Sequence, residues 1–174
     1  MNMQIELISA SELADESFNI VINDLKPIET YRIEMFLSDY YCINAPMRLA
    51  HDVLWKSTAT FVSDKNGIID ISQTPSCSGS YEDIATMGLF FNAKPLTNKR
   101  KKLPNSLSKI PLLDHFFVGI KIMQGNTVIA ERTFTRHYMS SQISHQDIYG
   151  KHFQGRLFYD KKAIKTPSID YCER

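Results

Sequence analysis

The residues best suited to nucleophilic chemistry lie in the segment Ser76-Cys77-Ser78-Gly79-Ser80. A nucleophile on a sharp strand-to-helix elbow needs the pattern Gly-x-(Ser/Cys)-x-Gly, so that its side chain stands clear of the sheet beside backbone donors for an oxyanion. This segment lacks the first glycine and no helical periodicity follows it, so it reads as a Gly/Ser/Pro loop. Cys77 has no activating residue beside it in sequence. The histidines His51, His115, His137, His145 and His152 never fall at His-x-x-x-His or comparable metal spacing, and they read as surface or interface residues. Asp64 and Asp70 flank a turn, where bonding to backbone amides is a sufficient reason for a carboxylate; an acid–base pair is the weaker reading. Lys99-Arg100-Lys101-Lys102 could meet phosphate groups, but no aromatic residue interleaves with the run, and a solvated loop is the better account. No catalytic, cofactor-binding or metal-binding set emerges from these residues.

The whole chain bounds the classes of function that remain. Its 174 residues correspond to one domain, or one domain with an appendage. Hydrophobic residues make up 43% and charged residues 22%, enough to bury a core. The formal charge of +1 gives no field that would draw the chain to nucleic acid or to an anionic membrane. Cys42, Cys77 and Cys172 are odd in number and far apart, which points to a reducing compartment and away from a disulfide framework. Glu6, Glu12, Asp15 and Glu16 interrupt the N-terminus where a secretory signal would be apolar. No run is long enough to span a bilayer as a helix, and the last residues form no retention or peroxisomal signal. The expected location is therefore cytoplasmic.

Strand periodicity dominates the chain. Trp55, Ser57, Ala59 and Phe61 alternate with Lys56, Thr58 and Thr60, the period of a strand with one buried face. Asp64-Lys65-Asn66-Gly67 follows as a turn and Ile68 to Ile71 as the returning strand. Residues 4–8, 18–22 and 31–37 give earlier strands, and residues 38–50 an irregular stretch broken by Pro46. Residues 94–111 carry Pro95, Pro104 and Pro111 and read as a long exposed connection. His115 to Met123, a turn at Gln124-Gly125-Asn126 and Thr127 to Tyr138 form the clearest hairpin. No sustained helical period and no repeat is present. About seven short strands at this spacing predict two antiparallel sheets packed face to face.

A set of ordered markers runs from Trp55 to Pro95: Trp55, Phe61, Asp64, Gly67, Asp70, Pro75, the triplet Gly79-Ser80-Tyr81, and the block Met87-Gly88-Leu89-Phe90. In order and spacing they resemble the N-terminal domain of the acyl-CoA thioesterases and bile acid-CoA:amino acid N-acyltransferases. Arg136-His137-Tyr138-Met139 is similar to the close of that family's first domain, and Tyr149 to Tyr159 to the passage into its second, an α/β hydrolase. The resemblance implies an all-β, immunoglobulin-like antiparallel sandwich over residues 1–148, followed at 149–174 by an extension resembling the first strand of a hydrolase domain that these residues do not contain. The family's nucleophile, aspartate and histidine belong to that second domain.

The expected role is that of a non-catalytic domain packing on and modulating an α/β-hydrolase domain, in cis or in trans, that acts on acyl-CoA thioesters. Tyr81, Met87, Phe90, Phe91, Phe153 and Phe158 are the candidate interface residues. Tyr81, Phe90 and Phe91 read equally well as a patch or as core, because Gly79 and Gly88 suggest irregular backbone at an exposed edge. An orphaned C-terminal strand would dock on the sandwich edge, pair with a second copy or stay disordered. No cofactor, nucleic acid or membrane partner is expected. The alternative is a stand-alone β-sandwich interaction module with no link to thioester chemistry, and a third reading is a catalyst using Cys77 or a histidine.

Overall fold

A computed structural model describes residues 3–40, 53–97 and 114–162. The histidine His51, the cysteines Cys42 and Cys172 and the basic run Lys99 to Lys102 lie outside the described residues. The chain divides into two compact units, which among the described residues are 3–40, 53–97 and 114–138, and then 139–162.

The first unit is a β-sandwich. Its smaller sheet has the order β1 (Gln4–Ser9), β2 (Phe18–Asn23), β5 (Ile69–Asp70). Its larger sheet runs β6 (Ser78–Gly79), β4 (Trp55–Val62), β3 (Thr30–Ser38), β8 (His115–Gln124), β9 (Thr127–His137), with β7 (Lys94–Pro95) also pairing with β4. All of these pairings are antiparallel. The alternation seen in sequence becomes the inner face of each strand. Phe18, Ile20 and Ile22 of β2 meet Tyr31, Ile33, Met35 and Leu37 of β3, Ala59 and Phe61 of β4, and Phe116, Val118, Ile120 and Ile122 of β8 in a single buried cluster. Removing these side chains from water is the main force joining the two sheets.

Two expectations need correction. Ile68 to Ile71 does not return along β4; β5 pairs with β2, with Val21 opposite Asp70 and Ile22 opposite Ile69. The turn at Asp64 to Gly67 thus carries the chain from the larger sheet to the smaller one. Asp64 Oδ1 accepts the amides of Asn66 and Ile68, each at 2.8 Å, which fixes the bend. Gly67 has φ +75°, and a β-carbon there would lie 2.0 Å from the carbonyl oxygen of Leu25, so no other residue fits. Second, the connection read at residues 94–111 begins with a short strand: Lys94, still exposed, and Pro95 lie opposite Lys56 and Trp55 on the edge of β4, while residues 98–111 lie outside the described residues. One turn of helix, α1 (Gly88–Phe91), lies within the otherwise all-β first unit; four residues are too few to show a helical period in sequence.

The second unit holds a two-stranded antiparallel sheet of β10 (Ile143–Tyr149) and β11 (Gln154–Asp160), closed by a bond from the Gly150 amide to the Phe153 carbonyl at 2.9 Å. The stretch from Tyr149 to Tyr159 is therefore not a lone strand. Asp147 and Arg156 pair across the hairpin at 2.6 and 3.1 Å, and the guanidinium holds the Asp147 carboxyl below its ordinary value. The first unit ends at Tyr138, and Ile143 to Tyr149 pairs forward along the chain with β11.

Candidate interaction surface

Leu89 anchors α1 and is 1% exposed. Beside it the Phe90 ring meets Phe18 (5.7 Å between centroids), Tyr40 (5.4 Å) and Phe116 (6.3 Å), the first two edge-on. Tyr40 in turn meets Trp55 edge-on at 5.8 Å. Such edge-to-face pairs add to the area they bury. The Met87 sulfur accepts the Phe18 amide at 3.3 Å and so ties the start of α1 to β2. Phe91 follows Phe90 directly, its ring edge-on to that of Phe90 at 5.8 Å, and is 76% exposed.

Tyr81 packs on the same element. Its ring lies edge-on to Phe61 at 6.5 Å and covers Gly88 so closely that a β-carbon there would sit 2.4 Å from Tyr81 Cζ. The glycine of the Met-Gly-Leu block is needed for this approach. The Tyr81 hydroxyl is buried with no hydrogen-bond partner among the described residues, and burial pushes the phenol up to about 12. Of the sequence candidates, then, Tyr81, Met87 and Phe90 pack against the core while Phe91 stands in solvent. Phe153 and Phe158 belong to the second unit, 61% and 51% exposed; Phe158 faces His145 across the hairpin, 6.1 Å between rings.

The serine-rich loop is occupied by structural bonds. Ser76 Oγ donates to the carbonyls of Ser78 (3.1 Å) and Tyr81 (2.9 Å), and Ser80 Oγ accepts the Thr58 amide at 3.0 Å. Cys77 is an exposed free thiol. Among the described residues no hydrogen bond joins any of these side chains to a histidine, the base with which a serine or thiol nucleophile is usually paired. Asp70 likewise accepts from Asn19 (2.7 Å), Ser72 (2.6 Å) and Gln73 (3.0 Å). Burial raises its carboxyl, but these bonds outweigh burial and hold it below the ordinary value. Both carboxylates serve turns. Among the described residues no group of three His, Cys, Asp or Glu side chains forms a metal cage, and no helix is long and apolar enough to cross a membrane.

Arg136 was read only as part of the Arg136-His137-Tyr138-Met139 marker; its structural role escaped the sequence reading. It is 1% exposed and donates to Ser9 Oγ (2.9 Å) and to the carbonyls of Ser11 (2.8 Å), Leu13 and Glu16 (2.6 Å). Burial lowers its pKa, against the opposing pull of Glu12, Glu16 and Asp15. Two strand repeats earlier, Arg132 donates to the Ile5 carbonyl at 2.6 Å. Two inward arginines of β9 thus hold β1 and the segment after it against the larger sheet. The available signal was the alternation itself, which places Arg132 and Arg136 on the same side as Phe134.

Comparison with known proteins places these features. Residues 15–149 match the model of a family described as the acyl-CoA thioester hydrolase/BAAT N-terminal region. The chain is similar to acyl-coenzyme A amino acid N-acyltransferase 2 of Mus musculus, 28% identical over 112 residues, covering 63% of this chain and 24% of the relative. It is also similar to acyl-coenzyme A amino acid N-acyltransferase 1 of Mus musculus, 30% identical over 95 residues (53% of this chain, 20% of the relative). With the Mus musculus bile acid-CoA:amino acid N-acyltransferase, identity is 20% over 167 residues, 93% of this chain and 37% of the relative. The matches span well under half the length of these relatives.

Proposed function

Because the chain belongs to the acyl-CoA thioester hydrolase/BAAT N-terminal family, we propose that it is the non-catalytic half of an acyl-CoA thioester enzyme, packing on and modulating an α/β-hydrolase domain in cis or in trans. The observation that carries this reading is the extent of the family match, residues 15–149, which takes in every strand of the sandwich except β1. In this assignment the partner domain supplies the nucleophile, base and orienting carboxylate, and the thioester is cleaved through an acyl-enzyme. None of the residues of the sandwich takes part in the attack.

The finer parts of the proposal have separate supports. The order β1-β2-β5 against β4-β3-β8-β9 supports an immunoglobulin-like topology. Phe91, continuous with the Phe90 aromatic cluster, is the anchor we assign to the partner-facing surface, with Tyr81 and Met87 behind it. Residues 149–174 belong, in this reading, to the start of the hydrolase domain. A two-stranded hairpin is marginal alone, and β10–β11 exposes Tyr149, Phe153 and Phe158, as a sheet awaiting further strands would. Pairing of this hairpin with a second copy is the competing use of the same surface. The wide, odd spacing of the cysteines supports a cytoplasmic location.

Sedimentation velocity tests the assignment, using this chain mixed with a hydrolase domain of the same family expressed without its own N-terminal region. The expected result is a saturable one-to-one complex, weakened about tenfold or more by Phe91→Asp, which removes about 1.4 kcal/mol of binding. Absence of any complex would contradict the proposal and leave the stand-alone interaction module.

A further inference from the structure

β9 closes one side of the larger sheet and pairs with β8 alone. Its last residue, His137, donates its amide to the Glu12 carbonyl (2.7 Å), and its carbonyl accepts the Ala14 amide (2.8 Å). Both backbone groups of His137 therefore turn away from β8. In an antiparallel ladder that direction recurs at every second residue. The register runs unbroken from His115 opposite His137 to Ile122 opposite Ala130, so the amides and carbonyls of Thr135, Thr133 and Glu131 also turn outward. Among the described residues none of these groups has a partner. The open edge has two limits. At one end Leu13 bridges to His137 and occupies its backbone groups. At the other the ladder slips after Ile122 and leaves Ile129 as an extra residue. Between them lies Glu131-Arg132-Thr133-Phe134-Thr135, of which Glu131, Arg132 and Thr133 are exposed. The segment has neither the lysine nor the proline that commonly blunts an edge.

We propose that this edge is a self-association surface, on which β9 of a second copy adds as an antiparallel strand centred on Thr133. Outward groups must meet outward groups, so Glu131, Thr133 and Thr135 of one copy face the same residues of the other. Charge then selects among the registers centred within the segment. Centring on Glu131 sets two glutamates face to face, and centring on Arg132 sets two arginines face to face. Centring on Phe134 or Thr135 runs the second strand into His137, whose backbone groups are already bonded. Centring on Thr133 matches every open amide and carbonyl. It places Glu131 opposite Thr135 and Arg132 opposite Phe134, with no like charges facing. Arg132 already lies over the Phe134 ring of its own strand at 4.9 Å, so the second copy's ring joins an existing cation–π contact. The surface uses none of Tyr81, Met87, Phe90 or Phe91 and is independent of the assignment above. A ladder this short lies at the small end of specific interfaces, below about 1,200 Å², so the dimer is reversible, with a micromolar dissociation constant.

Sedimentation equilibrium of the full chain, from about 1 μM to about 1 mM, is expected to show monomer and dimer in exchange. Thr133 faces outward from the sandwich, opposite Gly119. Thr133→Lys and Thr133→Glu each bring like charges together at the two-fold axis and weaken the dimer about tenfold or more. Mixed in equal amounts, the two variants associate again, because opposite charges then meet. Phe158→Ser, on the β10–β11 hairpin, leaves the dimer unchanged. In the unaltered protein, hydrogen exchange at the amides of Glu131, Thr133 and Thr135 slows as the dimer fills, a readout that needs no variant to fold. The proposal is overturned by a monomer at every concentration, by a dimer indifferent to charge at Thr133, or by variants that do not associate when mixed. A dimer that Phe158→Ser dissolves, or exchange at the three amides that does not slow, overturns it equally.

Discussion

The guanidinium of Arg136 lies over the ring of Phe18, 5.2 Å from its centroid, while its nitrogens donate to Ser9, Ser11, Leu13 and Glu16. One side chain on the edge strand of the larger sheet thereby fixes the first strand of the smaller sheet and the segment that follows it. Arg136→Ala leaves buried carbonyls without donors and a void beside Phe18, and is expected to cost about 3 to 5 kcal/mol in denaturant unfolding. Arg136→Lys restores the charge but only a compact ammonium in place of a planar fork, and recovers only part of the loss.

Gly88→Ala places a methyl group inside the Tyr81 ring, 2.4 Å from Cζ. The expected cost is about 1 to 3 kcal/mol, the range for overpacking a filled site. Tyr81→Phe removes a hydroxyl that has no partner among the described residues, so it is neutral or stabilising in the same measurement. Combined with Tyr81→Ala, which clears the ring, Gly88→Ala is expected to cost much less than it does alone, a non-additivity that a double-mutant cycle reads directly.

The Tyr81 phenol, raised to about 12 in the fold from its ordinary 10.0, sets an alkaline prediction. Its neutral form is favoured in the folded state, so the unfolded chain ionises first. The contribution is fully present below about pH 10 and is lost as pH rises toward about 12. Unfolding followed between those values should show a decline that Tyr81→Phe reduces.

Gly67→Ala forces a β-carbon to 2.0 Å from the Leu25 carbonyl at φ +75°, and is expected to destabilise by about 1 to 3 kcal/mol. The neighbouring carboxylates give the acid counterpart. Bonds from the Ile68 and Asn66 amides lower Asp64, and Asp70 is lowered despite burial. Stability from these groups is present above the ordinary carboxylate pKa and is lost as pH falls through their depressed values. Asp70→Asn should flatten the acid limb of the stability profile, with little effect at pH 9 beyond a constant offset.

The strands were legible in the sequence wherever one face is buried. Trp55 to Phe61 and Phe116 to Ile122 alternate because each alternate side chain enters the common core. Partner choice was not legible: nothing local in Ile68 to Ile71 tells whether it returns to β4 or crosses to β2, since the deciding contacts are with Val21 and Ile22. The strand β10 was missed because Ser144, His145, Gln146 and Asp147 present no apolar face. Arg136 was hidden by its type, as a charged residue is rarely fully buried. The register of His115 opposite His137 was hidden by the bulge after Ile122, which counting back from the turn cannot reveal. The Met-Gly-Leu-Phe block was recognised as a marker, but its reason, a tyrosine ring laid over Gly88, appears only in three dimensions.

The central claim is that this sandwich carries no thioester-cleaving chemistry of its own. Incubation of the purified chain with long-chain acyl-CoA, following free thiol release over many enzyme equivalents, tests it most directly. The account predicts release no faster than in buffer, unchanged by Cys77→Ala. Steady turnover that Cys77→Ala abolishes would contradict it.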